Sequence, residues 1–233
     1  MKFSLIIPLH NESGNVERIS SEVHDALSHN QYINDYEIIC IDDSSTDDTL
    51  AKLKNIKHEK FKIFKLSKRG GQSAAIAAGI KKSAYEVIGI IDADLQTSPY
   101  DYEKLLKKMN EGFDCVIGCR KHRKDNLIKR ISTKIARLIR QTVLGDNFYD
   151  IAAPLKVFRK ECVDYNFFFD TFHRYIPVLI QMQGFSVSEV DIDHSPRIAG
   201  ESKYGINNRL WSGIISMFVI KWMIKSYLYI DTD

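Results

Sequence analysis

The 233-residue chain is long enough for one sizeable domain with an appendage at most, and its 44% hydrophobic content suits a packed core, which excludes a disordered chain. A formal net charge of +3 conceals a basic block: from Arg120 to Arg140, nine Lys or Arg residues stand against one acid, Asp125. The four cysteines, Cys40, Cys115, Cys119 and Cys162, show no CxxC spacing, and three lie in apolar runs. They read as small buried hydrophobes rather than metal ligands or disulfides, with a reducing, cytosolic compartment as the default.

The amino terminus, "MKFSLIIPLHNE", passes from a short apolar stretch straight into polar residues, so it reads as a strand and not a signal peptide. From there to about residue 120, apolar runs ("FSLIIPL", "YEIICID", "FKIFKLS", "VIGIID", "FDCVIGC") alternate with helix-like segments ("NVERISSEVHDAL", "TDDTLAKLKN", "GQSAAIAAGIKKSA", "PYDYEKLLKKMN"). Strands that are apolar throughout and separated by crossover helices belong in a parallel sheet covered on both faces. The fold class predicted is therefore α/β, a doubly wound and mostly parallel sheet. Ligands of such sheets bind beyond the carboxyl ends of the strands, where Asp42, Asp43, Asp92 and Asp94 all fall.

Within "IIDADLQ", two carboxylates one residue apart follow an apolar strand. In an extended segment Asp92 and Asp94 would share a face and repel each other. With the acidic pair at another strand tip they suit a hard divalent cation, Mg²⁺ or Mn²⁺, whose open positions substrate phosphates fill. Asp47 reads as a turn cap. In "SKRGGQSAAIAAG", Gly70 and Gly71 open an Ala-rich helix, which fits either an anion at the helix N-terminus or close helix–sheet packing.

After Arg120 the texture changes. "NLIKRISTKIARLIRQTV" reads as a basic amphipathic helix over about 126–143, with Leu127, Ile131, Ile135 and Leu138 on one stripe. A solvated basic face, a lipid surface and nucleic acid are its three readings; the last is disfavoured because no aromatics interleave to stack bases. "PLKVF" predicts a strand, "TFHRYIPVLIQMQG" a helix stopped by Gly184, and "FSVSEVDID" a further strand. The loop "HSPRIAGESKYG" leads into "LWSGIISMFVIKWMIKSYLYI", whose charge-free runs fall short of the ~20 residues a bilayer span needs. Lys221 and Lys225 lie four apart, so this last helix is expected to be amphipathic, at a membrane interface or docked on the domain.

Taken in order, "IIPLHNES", "IDDSSTDDT", "RGGQSAAIAAG", "DADLQTSP", "GCR", "LKVFR" and "HSPRIAGESKYG" resemble a family 2 glycosyltransferase of the polyprenyl-phosphate class, similar to dolichyl-phosphate mannose synthases and undecaprenyl-phosphate sugar transferases. The resemblance covers nearly the whole chain. It implies a GT-A catalytic domain over 1–205, containing the basic helix, and a C-terminal membrane-interface helix over 206–233. It also implies an inverting transfer from a UDP- or GDP-sugar to a polyprenyl phosphate at the cytoplasmic face of a membrane, with a homo-oligomer or membrane-protein partner open and no nucleic acid.

Carried over by position, Pro8, His10 and Glu12 would line the nucleotide pocket, with His10 where the family commonly has Tyr. Ile41 and Asp43 would hold base and ribose, and Asp92, Ala93, Gln96 and Arg120 would complete the donor site. Asp92, Asp94 and Gln96 would hold the metal, with Asp94 the direct ligand. Arg197, Ser202 and Lys203 would hold phosphate of donor or acceptor, on a loop whose Gly200 suits a lid. Asp150 matches the position of the acceptor base, although "IAAPLKVF" departs from the Thr-Gly or Phe-Arg often found after it. His173 receives no catalytic role.

The chemistry also follows without the resemblance. Displacing a nucleoside diphosphate from an anomeric carbon needs countercharge on the leaving group and an aligned nucleophile. A lipid monophosphate, with a second pKa of roughly 6, is largely dianionic at neutral pH and needs little deprotonation. Asp150 should therefore orient the acceptor more than it acts as a base. The competing functions are transfer to a non-lipid saccharide and a catalytically silent sugar-nucleotide-binding subunit.

Overall fold

A computed structural model describes residues 1–120, 127–164, 168–192 and 206–226. The chain forms two compact units, Met1–Arg123 with Asp150–Glu201, and Lys124–Tyr149 with Ser202–Asp233.

The first unit is built on a seven-stranded sheet of β1 (Lys2–Leu9), β2 (Asp35–Asp42), β3 (Phe61–Lys65), β4 (Val87–Ile90), β5 (Cys115–Cys119), β6 (Lys156–Arg159) and β7 (Val187–Asp191). Their spatial order is β3-β2-β1-β4-β6-β5-β7. Every neighbouring pair is parallel except those of β6, which runs antiparallel to both β4 and β5. The mostly parallel sheet predicted from the apolar runs is thus present, and "PLKVF" supplies its one reversed strand.

Both parities of β1 are apolar because both faces are covered. Phe3, Leu5, Ile7 and Leu9 join a core with Val16, Ile19 and Leu27 of the first helical segment. That segment is α1 (Val16–Arg18) and α2 (His24–Ser28), joined by a π-helical turn at Ile19–Val23. Tyr102, Leu105 and Met109 of α5 (Tyr102–Asn110) complete the same core. A short α3 (Thr49–Lys54) follows β2.

On the opposite face lies α4 (Gly71–Lys82), whose Ala75 packs with Ile39 and Ile41. A Cβ at Gly79 would run into Ile6, so this glycine lets the helix backbone lie directly against β1. Next to α4 on the sheet lies α7 (Phe172–Met182), which packs on β5 and β7. It ends where expected: Gly184 takes a φ of +89° and its N–H returns to the Gln181 carbonyl at 3.0 Å.

The chain moves outward from β1 through β2 to β3, then returns to place β4 on the other side of β1. The order reverses at β1 and β4, and doubly wound sheets bind ligands in the crevice beyond the carboxyl ends of the strands at such a switch point.

The second unit pairs α6 (Leu127–Leu144) with α8 (Ile206–Ser226). The expected basic helix is therefore helical, and it groups with the last helix rather than with residues of the sheet. Arg140 grips the buried Asp146 through two bonds of 2.9 Å, and Asp146 accepts the Phe148 N–H at 3.0 Å, which fixes the turn after α6. The division of α8 into a lysine face and an apolar face is not confirmed by its described side chains. Lys221 turns inward to donate to the Val143 carbonyl. Ile215, Phe218 and Trp222 stand 61%, 61% and 68% exposed, while Met217 and Ile220 are buried. The physical reason is composition: apolar side chains ring the helix, so burying one side leaves others in solvent. Among the described residues, no helix is long and apolar enough to cross a membrane.

Candidate functional site

The segment after β1 is held to the segment after β2. Asn11, at φ +52°, donates its N–H to Ser45 Oγ at 3.0 Å and accepts the Thr46 N–H on its side-chain oxygen at 2.8 Å. Glu12 donates its N–H to Thr49 Oγ1 at 2.8 Å, and its carboxylate accepts from Asn15 at 2.7 Å. His10 Nδ1 lies 2.8 Å from the Asp43 carbonyl. A carbonyl only accepts, so Nδ1 carries the proton and Nε2 is the acceptor nitrogen of the neutral ring. Asp47 caps the turn into α3 with bonds from the Thr49 and Ser13 amides. Burial opposes its ionisation, but the bonds from Thr49 and Ser13 prevail and bring its pKa to about 2.

Two of the residues expected to hold the base and ribose are committed elsewhere. Ile41 is wholly buried against α4, so its side chain presents nothing to a ligand. Asp43 is 4% exposed, and its two oxygens accept the N–H groups of Gly70 and Gly71 at 2.6 and 2.9 Å. The two readings of this glycine pair meet here, because the anion at the mouth of α4 is the chain's own carboxylate. Asp43 is left with only its spare lone pairs for a ribose hydroxyl. Pro8 pairs with Ile41 in the ladder at the tip of β1.

The acidic pair does not continue a strand. β4 stops at Ile90, and residues 92–95 form a turn closed by the Leu95 N–H on the Asp92 carbonyl at 3.2 Å, with Leu95 at φ +46°. Strand alternation therefore does not orient Asp92 and Asp94; a tight turn beyond the strand brings them together. Ala93 points into the core, 5% exposed, so only its backbone can meet a donor. Asp94 accepts the Gln96 N–H at 3.2 Å. Asp92 accepts from Gln72 Nε2 at 2.7 Å. Burial first, then Asp94, raises the Asp92 pKa to about 6, against the pull of Lys156 and Arg120.

At the next strand tips, Arg120 follows β5 and forks onto Asp150, Nε to Oδ2 at 2.7 Å and Nη2 to Oδ1 at 3.1 Å, both side chains nearly buried. Asp150 donates its own N–H to Glu189 of β7 at 3.1 Å and closes a turn with the Ala153 N–H at 3.1 Å. The fold thus makes close partners of Arg120 and Asp150, which stand 30 residues apart in the chain. Arg197, Ser202 and Lys203 lie outside the described residues.

Three residues carry more of this site than their sequence context indicated. Lys156, 4% exposed on β6, donates to the Ala153 carbonyl beneath the Asp150 turn. Burial lowers its pKa to about 8, opposed by Asp92 and then Asp150. The available signal was a lone lysine inside the apolar run "PLKVF". Gln72 holds Asp92, and His173 lies 2.7 Å from the buried Ser73 hydroxyl. Burial, then Lys156 and Arg174, pushes the His173 imidazole down to about 3, so it is neutral at pH 7.

An α/β sheet with its crevice at the switch point and a carboxylate turn after the fourth strand defines a GT-A-type nucleotide-diphospho-sugar transferase fold. The solved structures it resembles agree: a mannosyltransferase from Pyrobaculum calidifontis in complex with GDP-Man and Mn²⁺ (TM-score 0.68, 16% identity, 98% of this chain and 65% of that one) and glucosyl-3-phosphoglycerate synthase from Mycobacterium tuberculosis with Mn²⁺, UDP and phosphoglyceric acid (TM-score 0.66, 15% identity, 98% and 80%). The chain belongs to glycosyl transferase family 2, whose model matches residues 4–167.

Among curated proteins it is similar to the undecaprenyl-phosphate 4-deoxy-4-formamido-L-arabinose transferase of Aeromonas hydrophila, 28% identical over 206 residues, or 87% of this chain and 63% of that protein. It is also similar to the dodecaprenyl-phosphate galacturonate synthase of Rhizobium johnstonii, 28% identical over 232 residues, or 97% of this chain and 68% of that protein. The chain therefore spans about two thirds of the length of these relatives.

Proposed function

We propose that the protein transfers a sugar, with inversion, from a UDP- or GDP-sugar to a polyprenyl phosphate at a membrane surface. The observation that carries this reading is the pairing of two centres on one sheet: the Asp92–Asp94 turn at the switch point and the Arg120–Asp150 fork two strand positions away. The first suits a nucleoside diphosphate and the second a phosphate-bearing acceptor. Both curated relatives described above are named for a polyprenyl phosphate.

The carboxylate turn fits a divalent cation. Asp92 is raised by its own burial and by Asp94, and a cation between the two would relieve that repulsion. Two carboxylates plus substrate phosphates are an ordinary Mg²⁺ or Mn²⁺ environment. Asp92 and Asp94 would hold the ion, with Gln96 beside them, and when bound it neutralises charge on the leaving diphosphate. Arg120 supplies further positive charge from the protein itself.

In the transfer, a phosphate oxygen of the acceptor forms a bond to the anomeric carbon as the bond from that carbon to the diphosphate oxygen breaks, and the electron pair leaves with the nucleoside diphosphate. Asp150, held by Arg120, orients the acceptor and takes a residual proton where one remains. Large apolar side chains exposed on both α6 and α8, Ile135, Leu138, Phe218 and Trp222 among them, support a lipid surface as the place of reaction.

The test is transfer of label from a panel of nucleotide sugars to undecaprenyl phosphate in detergent, with Mg²⁺, Mn²⁺ or EDTA. A metal-dependent, mild-acid-labile lipid product from one donor supports the proposal and names the sugar. Transfer to a soluble saccharide alone, or nucleotide binding with no product, would replace it by a non-lipid acceptor or a silent binding subunit.

A further inference from the structure

Four consecutive residues at the start of α4 make bonds to three other elements. The Gly70 and Gly71 amides hold the two oxygens of Asp43, beyond β2. Gln72 Nε2 holds Asp92 Oδ1, beyond β4, at 2.7 Å. Ser73 meets His173 of α7 at 2.7 Å. β2 and β4 are not neighbours, since β1 runs between them. The first turn of α4 therefore ties the two strand tips across the crevice.

This turn is hard to move. Gly71 sits at φ +80°, and a Cβ on Gly70 would lie 2.6 Å from the Ala74 Cβ, so both positions call for glycine, and their amides are held by the two oxygens of the buried Asp43. Ser73 is buried, and its partner His173 stays neutral near pH 7, so this anchor does not change with protonation there. Gln72 extends from that fixed base. Asp92 sits on a turn rather than a strand, so no ladder bond fixes its backbone, and Asp94 repels its carboxylate.

We infer that Gln72 is a positioning residue of the donor site, which binds one oxygen of Asp92 and thereby leaves the other for the cation, at a place fixed relative to Asp43. This rests on the reading of Asp92 as a metal-side carboxylate. A neutral amide suits that role, since it orients a carboxylate without supplying a charge that competes with the cation.

The test is calorimetric titration of UDP and of GDP into the full chain, with and without Mn²⁺, for wild type, Gln72→Leu, Gln72→Lys and Asp92→Asn, each variant's metal-free affinity serving as its own reference. Thermal melting of each variant checks that it is folded. Mn²⁺ should tighten nucleotide binding in the wild type. Gln72→Leu should lose about tenfold of that gain, in the range expected for a removed metal-site support, and Gln72→Lys, which restores a donor but adds a charge that competes with the cation for Asp92, should not recover it. A full Mn²⁺ gain in Gln72→Leu, with the gain lost in Asp92→Asn, overturns the role of Gln72 and leaves Asp92 in place. A gain that survives in Asp92→Asn overturns the reading of Asp92 itself, and no gain in the wild type overturns both.

Discussion

The guanidinium of Arg120 and the carboxylate of Asp150 face each other as two forks, joined at 2.7 and 3.1 Å with both side chains nearly buried. A carboxylate gripped in this way is well oriented, and taking a proton would break a charge-assisted pair. The acceptor phosphate asks little of a base. Asp150→Asn, which keeps the shape and weakens the pair, should therefore cost about tenfold in transfer rate at pH 8. Asp94→Ala should cost about a hundredfold or more, the scale of lost charge stabilisation on a leaving group. Initial rates with the same donor and lipid decide the order, and equal losses would return Asp150 to the role of an essential base.

Asp92 makes the site costly to stability. Its carboxyl holds a proton up to about pH 6 in the folded chain, against about 4 for an ordinary Asp. Between those values the folded state binds more protons than the unfolded one, so stability is fullest below pH 4 and falls as pH rises through 6. Asp92→Asn should remove that slope. In metal-free buffer the variant should be more stable than wild type by about 1–2 kcal/mol at pH 7, a few degrees in Tm, with the two converging near pH 4. Chemical denaturation from pH 4 to 8 measures the difference.

Much of this architecture was legible in the residues. The apolar runs of β1, β2 and β4 announced a sheet covered on both faces, and Gly184 announced the end of α7. The site was less legible because its groups are fixed by the turns they stand on. "DADLQ" reads as a continued strand until the left-handed Leu95 is seen to close a turn. Asp43 reads as an open ligand until the Gly70 and Gly71 amides are found on it. Gln72 and Asp92, twenty residues apart, bond only because α4 crosses beside β4's end, and single-sequence spacing holds no trace of that contact.

Lys156, like Arg120, is an internal cation that both carboxylate centres share. Its charge favours the ionised forms of Asp92 and, through the Ala153 carbonyl, its ammonium braces the turn that carries Asp150. Lys156→Met should keep the volume and remove the charge. The acid limb of the pH–rate profile should then move upward, since Asp92 loses a group that lowers its pKa, and kcat should fall more than KM rises. A profile unchanged from wild type would make Lys156 a packing residue. The lysine's own depressed pKa, about 8 in the folded chain, adds a second signature: the unfolded state keeps its proton to higher pH, so wild-type stability should rise between about pH 8 and 10, and the methionine variant should lack that rise.

The glycine at position 79 tests the packing that brings α4 to the crevice. A methyl group there would overlap Ile6 of β1. Gly79→Ala should cost about 1–3 kcal/mol through overpacking, despite alanine's better helix propensity. Ile6→Val in the same chain should return part of the loss, since it trims the side chain the new Cβ meets. Denaturant midpoints of the two single variants and the double variant give the coupling, and simple additivity would mean the helix shifts away without strain.

α6 exposes Ile135, Leu138 and Ile139 within a basic sequence, and α8 exposes Phe218 and Trp222. Aromatic and aliphatic side chains left in solvent beside lysines and arginines suit the interface of an anionic bilayer, where each basic residue contributes about 1 kcal/mol and apolar burial adds to it. Flotation with anionic vesicles should recover the wild-type protein, weaken at high salt, and fall sharply for Phe218→Ser combined with Trp222→Ser. Neutral vesicles should retain less protein, and duplex DNA should not compete. Retention of the double variant on anionic vesicles, with loss only on raising salt, would assign the surface to charge alone and leave the exposed aromatic residues of α8 for a protein partner.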